Sequence, residues 1–383
     1  MTAQMQTMQV VTLGCRLNHA ESARLAAELS GLHDTLVVNT CAVTAQAVRQ
    51  SRRAVRLGRA QGLRVIATGC AATIDPAGFG ALADHVILNA DKPEGIAAPS
   101  AERVHTRAFV PVQNGCDHSC TFCIIPQGRG PSRSRAVEDV VSEIAALAKS
   151  GVAEVVLTGV DLTSYAEPDL GTLVAAVLAR TALPRLRLSS LDGVEIDPLL
   201  FDLLTAEPRV MPHVHLSLQS GDDLILKRMK RRHSRGDAIR LVERLKTARP
   251  GIAIGADVIA GFPTESAAAH ANNLSLIEEC AIVHGHIFPY SPRPGTPAAR
   301  MPQVDPVLVR ERAAELRAAV AGRRERWLAA KVGAVEPVLA EQDGTGHAPD
   351  FARYRLPDGA IPGSVAMLKA TALVDGILAG DAA

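Results

Sequence analysis

Three cysteines fall within eight residues, Cys116-Asp-His-Ser-Cys120-Thr-Phe-Cys123, in a stretch punctuated by glycine and proline, NGCDHSCTFCIIPQGRG. Three thiolates at this spacing can hold three iron corners of one four-iron, four-sulfur cubane, whose ligands are ordinarily four cysteines. The fourth iron then stays open to a small chelating ligand, as one position does in catalytic zinc sites. Zinc is the competing occupant. A structural zinc site takes four ligands, and His118 lies inside the run to supply the fourth.

Three more cysteines each close a short apolar run: VVTLGC ends on Cys15, LVVNTC on Cys41 and VIATGC on Cys70. The spacings of 26 and 29 residues each suit one strand–helix–strand unit. Helix-like segments at 19–30 and 44–60 lie between them. The pattern predicts a doubly wound parallel sheet, whose strands end along one ligand-binding edge. The three thiols converge there. Cys280, in LSLIEECAIV, reads as a buried core thiol. Seven cysteines, an odd number, without a basic-then-apolar leader at the N-terminus, argue for metal or catalysis over a disulfide framework.

The chain that must position these residues is 383 long, enough for two or three domains. Its 41 basic and 40 acidic residues exclude a strongly basic binder but allow a local patch. Aromatics make up 3%, with Trp327 the single tryptophan, so stacking of bases on several exposed rings is not the expected binding mode. No apolar run reaches the roughly 18–20 residues of a membrane helix, and a cytoplasmic protein without membrane contact is expected.

From 107 to about 300, strands at 108–113, 154–160, 185–190, 213–218, 252–260 and 283–289 alternate with helices such as 137–149 and 235–248. Six units predict a partial (β/α)6 barrel. His213, His215, Ser217 and Gln219 share one strand face, and His284, His286, Phe288 and Tyr290 share another. A closed barrel fills its interior with Val, Ile and Leu, so these faces predict an open barrel that holds a polar ligand. The expected division is an N-terminal doubly wound α/β domain at 1–92, a polar linker at 93–106, the barrel with a charged helical extension at 107–328, and a small β-domain at 329–383. That tail has four basic and seven acidic residues over 331–383, a poor electrostatic RNA binder by itself.

A Cys-x3-Cys-x-aromatic-Cys run after the first strand of a partial barrel resembles the radical S-adenosylmethionine (SAM) superfamily. The preceding three-cysteine domain resembles the auxiliary-cluster domain of the methylthiotransferases, and the tail their RNA-gripping TRAM β-barrel. TLGCRLNHAES (12–22), CTFCIIPQGRGPSRS (120–134) and HLSLQSGDDLILKRMKRRHS (215–234) are most similar to the branch acting on N6-threonylcarbamoyladenosine in tRNA. The isopentenyladenosine branch would carry GCQMN and a TRGRE-like run, and the branch acting on a ribosomal-protein aspartate GCPKN. Gln127 departs from the Tyr expected in IIPYGRG, and the tail is unusually short and acidic.

The resemblance implies two 4Fe–4S clusters and SAM. Cys116, Cys120 and Cys123 hold the cluster at which SAM is cleaved to a 5′-deoxyadenosyl radical. Cys15, Cys41 and Cys70 hold an auxiliary cluster whose open iron carries sulfur. One SAM methylates that sulfur, a second supplies the radical, and the methylthio group joins C2 of the adenine. A radical is needed because the adenine C2–H bond is strong and not acidic. The implied partners are tRNA and a flavodoxin- or ferredoxin-like electron donor, and the chain is expected to be a monomer.

Candidate SAM contacts are Phe122 in the cysteine run and the strand-end residues Gly159, Ser189, Gln219, Asp257 and Gly261. Gly159 would let backbone approach the methionine amino group, and Gly261 the adenine. Asp161 is expected to face substrate. RNA phosphates are expected at Arg129, Arg133 and the run Lys227, Arg228, Lys230, Arg231 and Arg232, because cations so dense, with no acid among them, repel one another without a polyanion. Arg49, Arg52, Arg53, Arg56 and Arg59 recur at helical spacing. The alternatives are the same chemistry on isopentenyladenosine or on a ribosomal-protein aspartate, and a non-catalytic metal-bearing RNA scaffold. A scaffold has no reason to leave two metal sites three-liganded.

Overall fold

Strand β1 (Gln9–Thr12) pairs in parallel with β2 (Thr35–Thr40), β2 with β3 (Arg64–Gly69), and β3 with β4 (His85–Ile87). These coordinates are a computed structural model that describes residues 7–92 and 106–383. The expected linker lies outside the described residues except for Thr106. Every residue of β2 is buried, as a parallel strand covered on both faces requires. Its alternating side chains meet opposite layers. Val37 packs with Leu25 of α1 (Arg16–Glu28), and Leu36 and Val38 with Val55 of α2 (Ala45–Ala60). Each of the three cysteines follows a strand's carboxyl end within three residues.

The barrel strands follow sequence order. β5 (Arg107–Pro111), β6 (Glu154–Thr158) and β7 (Arg185–Leu188) form one parallel sheet. The short segment Ser190–Leu191 then leads a second parallel sheet with β8 (His213–Gln219), β9 (Ala253–Ala260) and β10 (Ile282–Pro289). Helices at Val137–Lys149 and Arg235–Ala248 match the expected bounds. Ser234 and Asp237 form a reciprocal capping box that starts the second of these. Val155, Leu157, Leu186, Val214, Leu216 and Ile254 fill the core between strands and helices. Cys280 is fully buried in it, as expected. Among the described residues no helix is long and apolar enough to cross a membrane.

After the long helix Pro306–Ala329, five strands close a small barrel, with Val335–Ala340, Thr345–His347, Arg353–Arg355, Ile377–Ala382 and Val365–Val374 in spatial order. This domain corrects one expectation. The polar faces of the large barrel were assigned to a ligand, but the end where its strands begin is filled from within the chain. Phe351, beside the strand Arg353–Arg355, stacks on His213 at 5.2 Å and meets His284 edge-on at 5.8 Å. Arg187 and Arg107 lie over its ring at 4.7 and 5.0 Å, an arrangement that favours a cation on an aromatic face. Both ring nitrogens of His213 are buried without a hydrogen bond. Phe351→Ala is expected to weaken this docking by about 2 kcal/mol. Faster backbone hydrogen exchange confined to 335–382 would show it, and unchanged exchange there would refute it.

Candidate active site

Cys15, Cys41 and Cys70 lie close enough that a charge on one disfavours a charge on the others. Gly14 has φ +104°, and a Cβ there would fall 2.9 Å from the Cys41 Sγ. Only glycine meets both demands. Asn18, buried, donates to the Leu13 carbonyl at 2.7 Å and the Thr40 carbonyl at 3.1 Å, tying the ends of β1 and β2 together. Asn89 donates to the Gly128 carbonyl at 2.6 Å and lies 3.8 Å from the Cys70 Sγ. The sequence reading missed both asparagines. The first was visible inside TLGCRLN, and the second had no local signal.

Cys116, Cys120 and Cys123 gather in the turn after β5, where each thiol again acts on its neighbours. Burial pushes the Cys41 thiol up to about 11, Cys116 to about 12 and Cys123 to about 11. A metal must displace these protons, so loading strengthens as pH rises. All six thiols are free, and the seventh, Cys280, is buried in the core. Two sets of three thiols, each without a fourth cysteine, fit four-iron clusters with one open corner. The space kept beside Cys41 by Gly14 fits the same occupant. The zinc set fits less well. The His118 Nε2 is 2.7 Å from Asp161 and 3.0 Å from Arg232, and Cys116 is the one thiol grouped with it.

The short helix Ile125–Arg129 after the second set packs against the turn of Cys70, where a Cβ on Gly128 would fall 3.2 Å from the Cys70 carbonyl oxygen. Arg129, the last residue of that helix, lies against the first set, which corrects its assignment to RNA. It is 4% exposed, and its Nε donates to the Cys70 Sγ at 3.1 Å. Its guanidinium pairs with Glu21 and donates to Asn18. Burial opposes its charge, but Cys70 and Glu21 outweigh that and hold it firmly protonated. The basic run is corrected in part as well. Arg231 and Arg232 pair with Asp192 at 2.9 and 3.1 Å, and Arg232 with Glu195 at 2.7 Å. Their mutual repulsion is relieved from the loop after β7, so these two need no polyanion. Arg228 donates to the Thr264 hydroxyl at 2.6 Å. Lys227, Lys230 and Arg133 remain exposed.

Of the candidate SAM contacts, two glycines make room for the protein itself. A Cβ on Gly159 would fall 2.8 Å from the Gln113 Oε1, which accepts from the Asp161 backbone N–H. One on Gly261, at φ +69°, would strike Val309 of the long helix at 2.5 Å. Phe122 meets Phe262 edge-on at 6.3 Å within an apolar cluster. Ser189 is buried at the break between the two barrel sheets, and Gln219 ends β8 at φ +66°. The Asp161 carboxylate lies 3.7 Å from the Cys116 Sγ. Asp257 meets His215 at 3.0 Å and His286 at 3.1 Å. Burial would raise its carboxyl, but the two histidines hold it well below the usual range.

The model of the radical SAM superfamily matches residues 110–274, and that of uncharacterized protein family UPF0004 matches 7–88. The chain is 41% identical over 91% of its length to a threonylcarbamoyladenosine tRNA methylthiotransferase of Rickettsia prowazekii, and covers 91% of that protein. It is 33% identical to a namesake from Thermotoga maritima, over 78% of this chain and 77% of that one. A tRNA-2-methylthio-N(6)-dimethylallyladenosine synthase of Alkalilimnicola ehrlichii is 33% identical over 87% of this chain and 86% of its own length. The fold resembles that of a radical S-adenosylmethionine methyltransferase, TsrM, from Kitasatospora setae, with a TM-score of 0.58 at 16% identity over 77% of each chain.

Proposed function

The chain belongs to the radical SAM tRNA methylthiotransferase family, and from that premise we propose that it inserts a methylthio group at C2 of N6-threonylcarbamoyladenosine in tRNA, 3′ of the anticodon. The observation that carries this reading is the pair of three-thiol sets, each without a fourth cysteine, joined by the packing of Gly128 and Arg129 on Cys70. The 41% identity to the Rickettsia threonylcarbamoyladenosine enzyme supports the substrate.

The enzyme uses two 4Fe–4S clusters and SAM. When bound, they supply the one-electron cleavage of SAM and the sulfur for attack on a strong C–H bond. In our reading Cys116, Cys120 and Cys123 hold the cluster that takes SAM, and Cys15, Cys41 and Cys70 hold the auxiliary one. Asn18 and Arg129 fix the turns that carry the second set. Asp257, held ionised by its two histidines, presents an acceptor inside the barrel for a hydroxyl or amino group of SAM or substrate. The working units follow the chain, with 1–92 for the auxiliary cluster, 107–328 for SAM and 329–383 as a small TRAM-like β-domain docked on the larger barrel. Arg133, Lys227 and Lys230 meet tRNA phosphates, joined by Arg49, Arg53 and Arg56 on the exposed face of α2. A flavodoxin- or ferredoxin-like protein supplies electrons, and the enzyme works as a cytoplasmic monomer.

The test is anaerobic. Protein reconstituted with iron and sulfide receives SAM, dithionite and tRNA bearing either threonylcarbamoyl- or isopentenyl-adenosine, and nucleosides are read by mass spectrometry. A methylthio gain on the threonylcarbamoyl nucleoside alone is expected. A gain on the isopentenyl nucleoside alone would overturn the substrate.

A further inference from the structure

Arg129 belongs to the barrel by sequence, yet its side chain completes the surroundings of a site built by the first domain. It ends the short helix that follows Cys123, and Gly128 lets that helix close on the Cys70 turn. The Arg129 Nε then donates to the Cys70 Sγ at 3.1 Å, from a donor 59 residues away in the chain. Its other two nitrogens donate to Glu21 and Asn18. Glu21 pairs in turn with Lys92. Two cations and one carboxylate thus stand on the Cys70 side, one positive charge in excess. None of the three side chains is more than 11% exposed, so water screens them little. The surroundings of Cys116, Cys120 and Cys123 differ. The Asp161 carboxylate lies 3.7 Å from the Cys116 Sγ, and Arg231, 3.8 Å from the Cys120 Sγ, is paired with Asp192.

A guanidinium N–H aimed at a thiolate stabilises negative charge on the sulfur, more strongly than a neutral donor does. Hydrogen bonds to the ligand sulfurs are among the factors that set the reduction potential of an iron–sulfur cluster, and residues beyond the ligands tune a metal site. One electron added to a cluster on Cys15, Cys41 and Cys70 places more charge on those sulfurs, with no bond made or broken. We infer, on the two-cluster reading above, that Arg129 is a positioning residue that raises the reduction potential of the Cys15, Cys41 and Cys70 site by donating to the Cys70 thiolate, with Glu21 as the counter-charge that limits the rise. Donor and sulfur come from different domains. The potential of this site is therefore tied to the docking of the first sheet on the barrel.

The experiment reads this site by itself. A Cys120→Ala chain reconstituted with iron and sulfide keeps the Cys15, Cys41 and Cys70 set and loses the Arg231 contact. Its midpoint potential is followed by electron paramagnetic resonance during a reductive titration, with iron content measured alongside, and compared after adding R129Q, R129K or E21Q. R129Q is expected to lower the ratio of reduced to oxidised site at a fixed poise roughly tenfold, a fall of ~59 mV for one electron. R129K should recover part of that, since it keeps the charge but not the planar fork. E21Q should move the potential upward. Opposite signs mark an effect of charge, because loosened packing would move both variants the same way. An R129Q potential equal to the parent's at matching iron content would overturn the inference, and so would equal falls in R129Q and E21Q. If R129Q holds no iron, E21Q decides, a rise supporting the assignment and no rise refuting it. A Cys120→Ala chain without iron would refute the two-cluster reading, and the role of Arg129 with it.

Discussion

A Cys41→Ala chain is expected to bind about half the parent's iron, still release 5′-deoxyadenosine from SAM, and form no methylthio product. A Cys120→Ala chain should keep the other half of the iron and lose both products. The split follows from how the thiols are carried. Cys15, Cys41 and Cys70 hang from the ends of three strands of the first sheet, whereas Cys120 and its partners share one turn after β5. Each set has three ligands and no spare cysteine, since Cys280 lies in the core. Removing one thiol therefore costs its own cluster and leaves the other set's ligands in place. Iron analysis and product detection on the same preparations decide the matter. Loss of all iron from either variant, with the fold intact by circular dichroism, would mean that the six thiols form one site.

Glu154→Gln is expected to destabilise the barrel by about 3–5 kcal/mol at neutral pH, because it leaves buried arginines without their anion. The Glu154 carboxylate is fully buried. Arg187 lies 2.9 Å from it, Arg185 3.0 Å and Arg107 3.4 Å. Arg187 also donates to the Pro349 carbonyl at 3.0 Å, so the same cluster fastens the C-terminal barrel. Burial by itself would raise the carboxyl, but Arg187 and Arg185 overrule it and hold the group at about 2. In the unfolded chain a glutamate titrates near ~4.3. Its folded value is thus depressed, and its contribution is fully present above the unfolded value and is lost as pH falls from there through about 2. Urea unfolding at pH 7 and at pH 3 should show the parent losing stability on acidification and the Gln variant losing less. Equal losses in the two proteins would refute the assignment.

The sequence by itself determined the six cysteines, the order of the elements and most of their bounds. Those signals are local. An apolar run, a turn and a cysteine recur at the spacing of one strand–helix unit, and the periodicity of 137–149 and 235–248 is carried by their own residues. The two glycines were legible only as strand-end punctuation. Glycine marks a close approach but not the partner, which proved to be Gln113 for Gly159 and Val309 for Gly261. Only the tertiary structure decided the partner of each charge. Arg129 is one of several arginines in its run, and the Glu21 that claims it stands 108 residues away. Arg231 is neutralised by Asp192 across 39 residues, although no acid stands in its own segment. Phe351 reaches His213 because a small barrel docks under a larger one. Periodicity specifies which face a residue takes on its own element. The pairing of faces from distant elements is set by packing and by the need to match buried charge with charge.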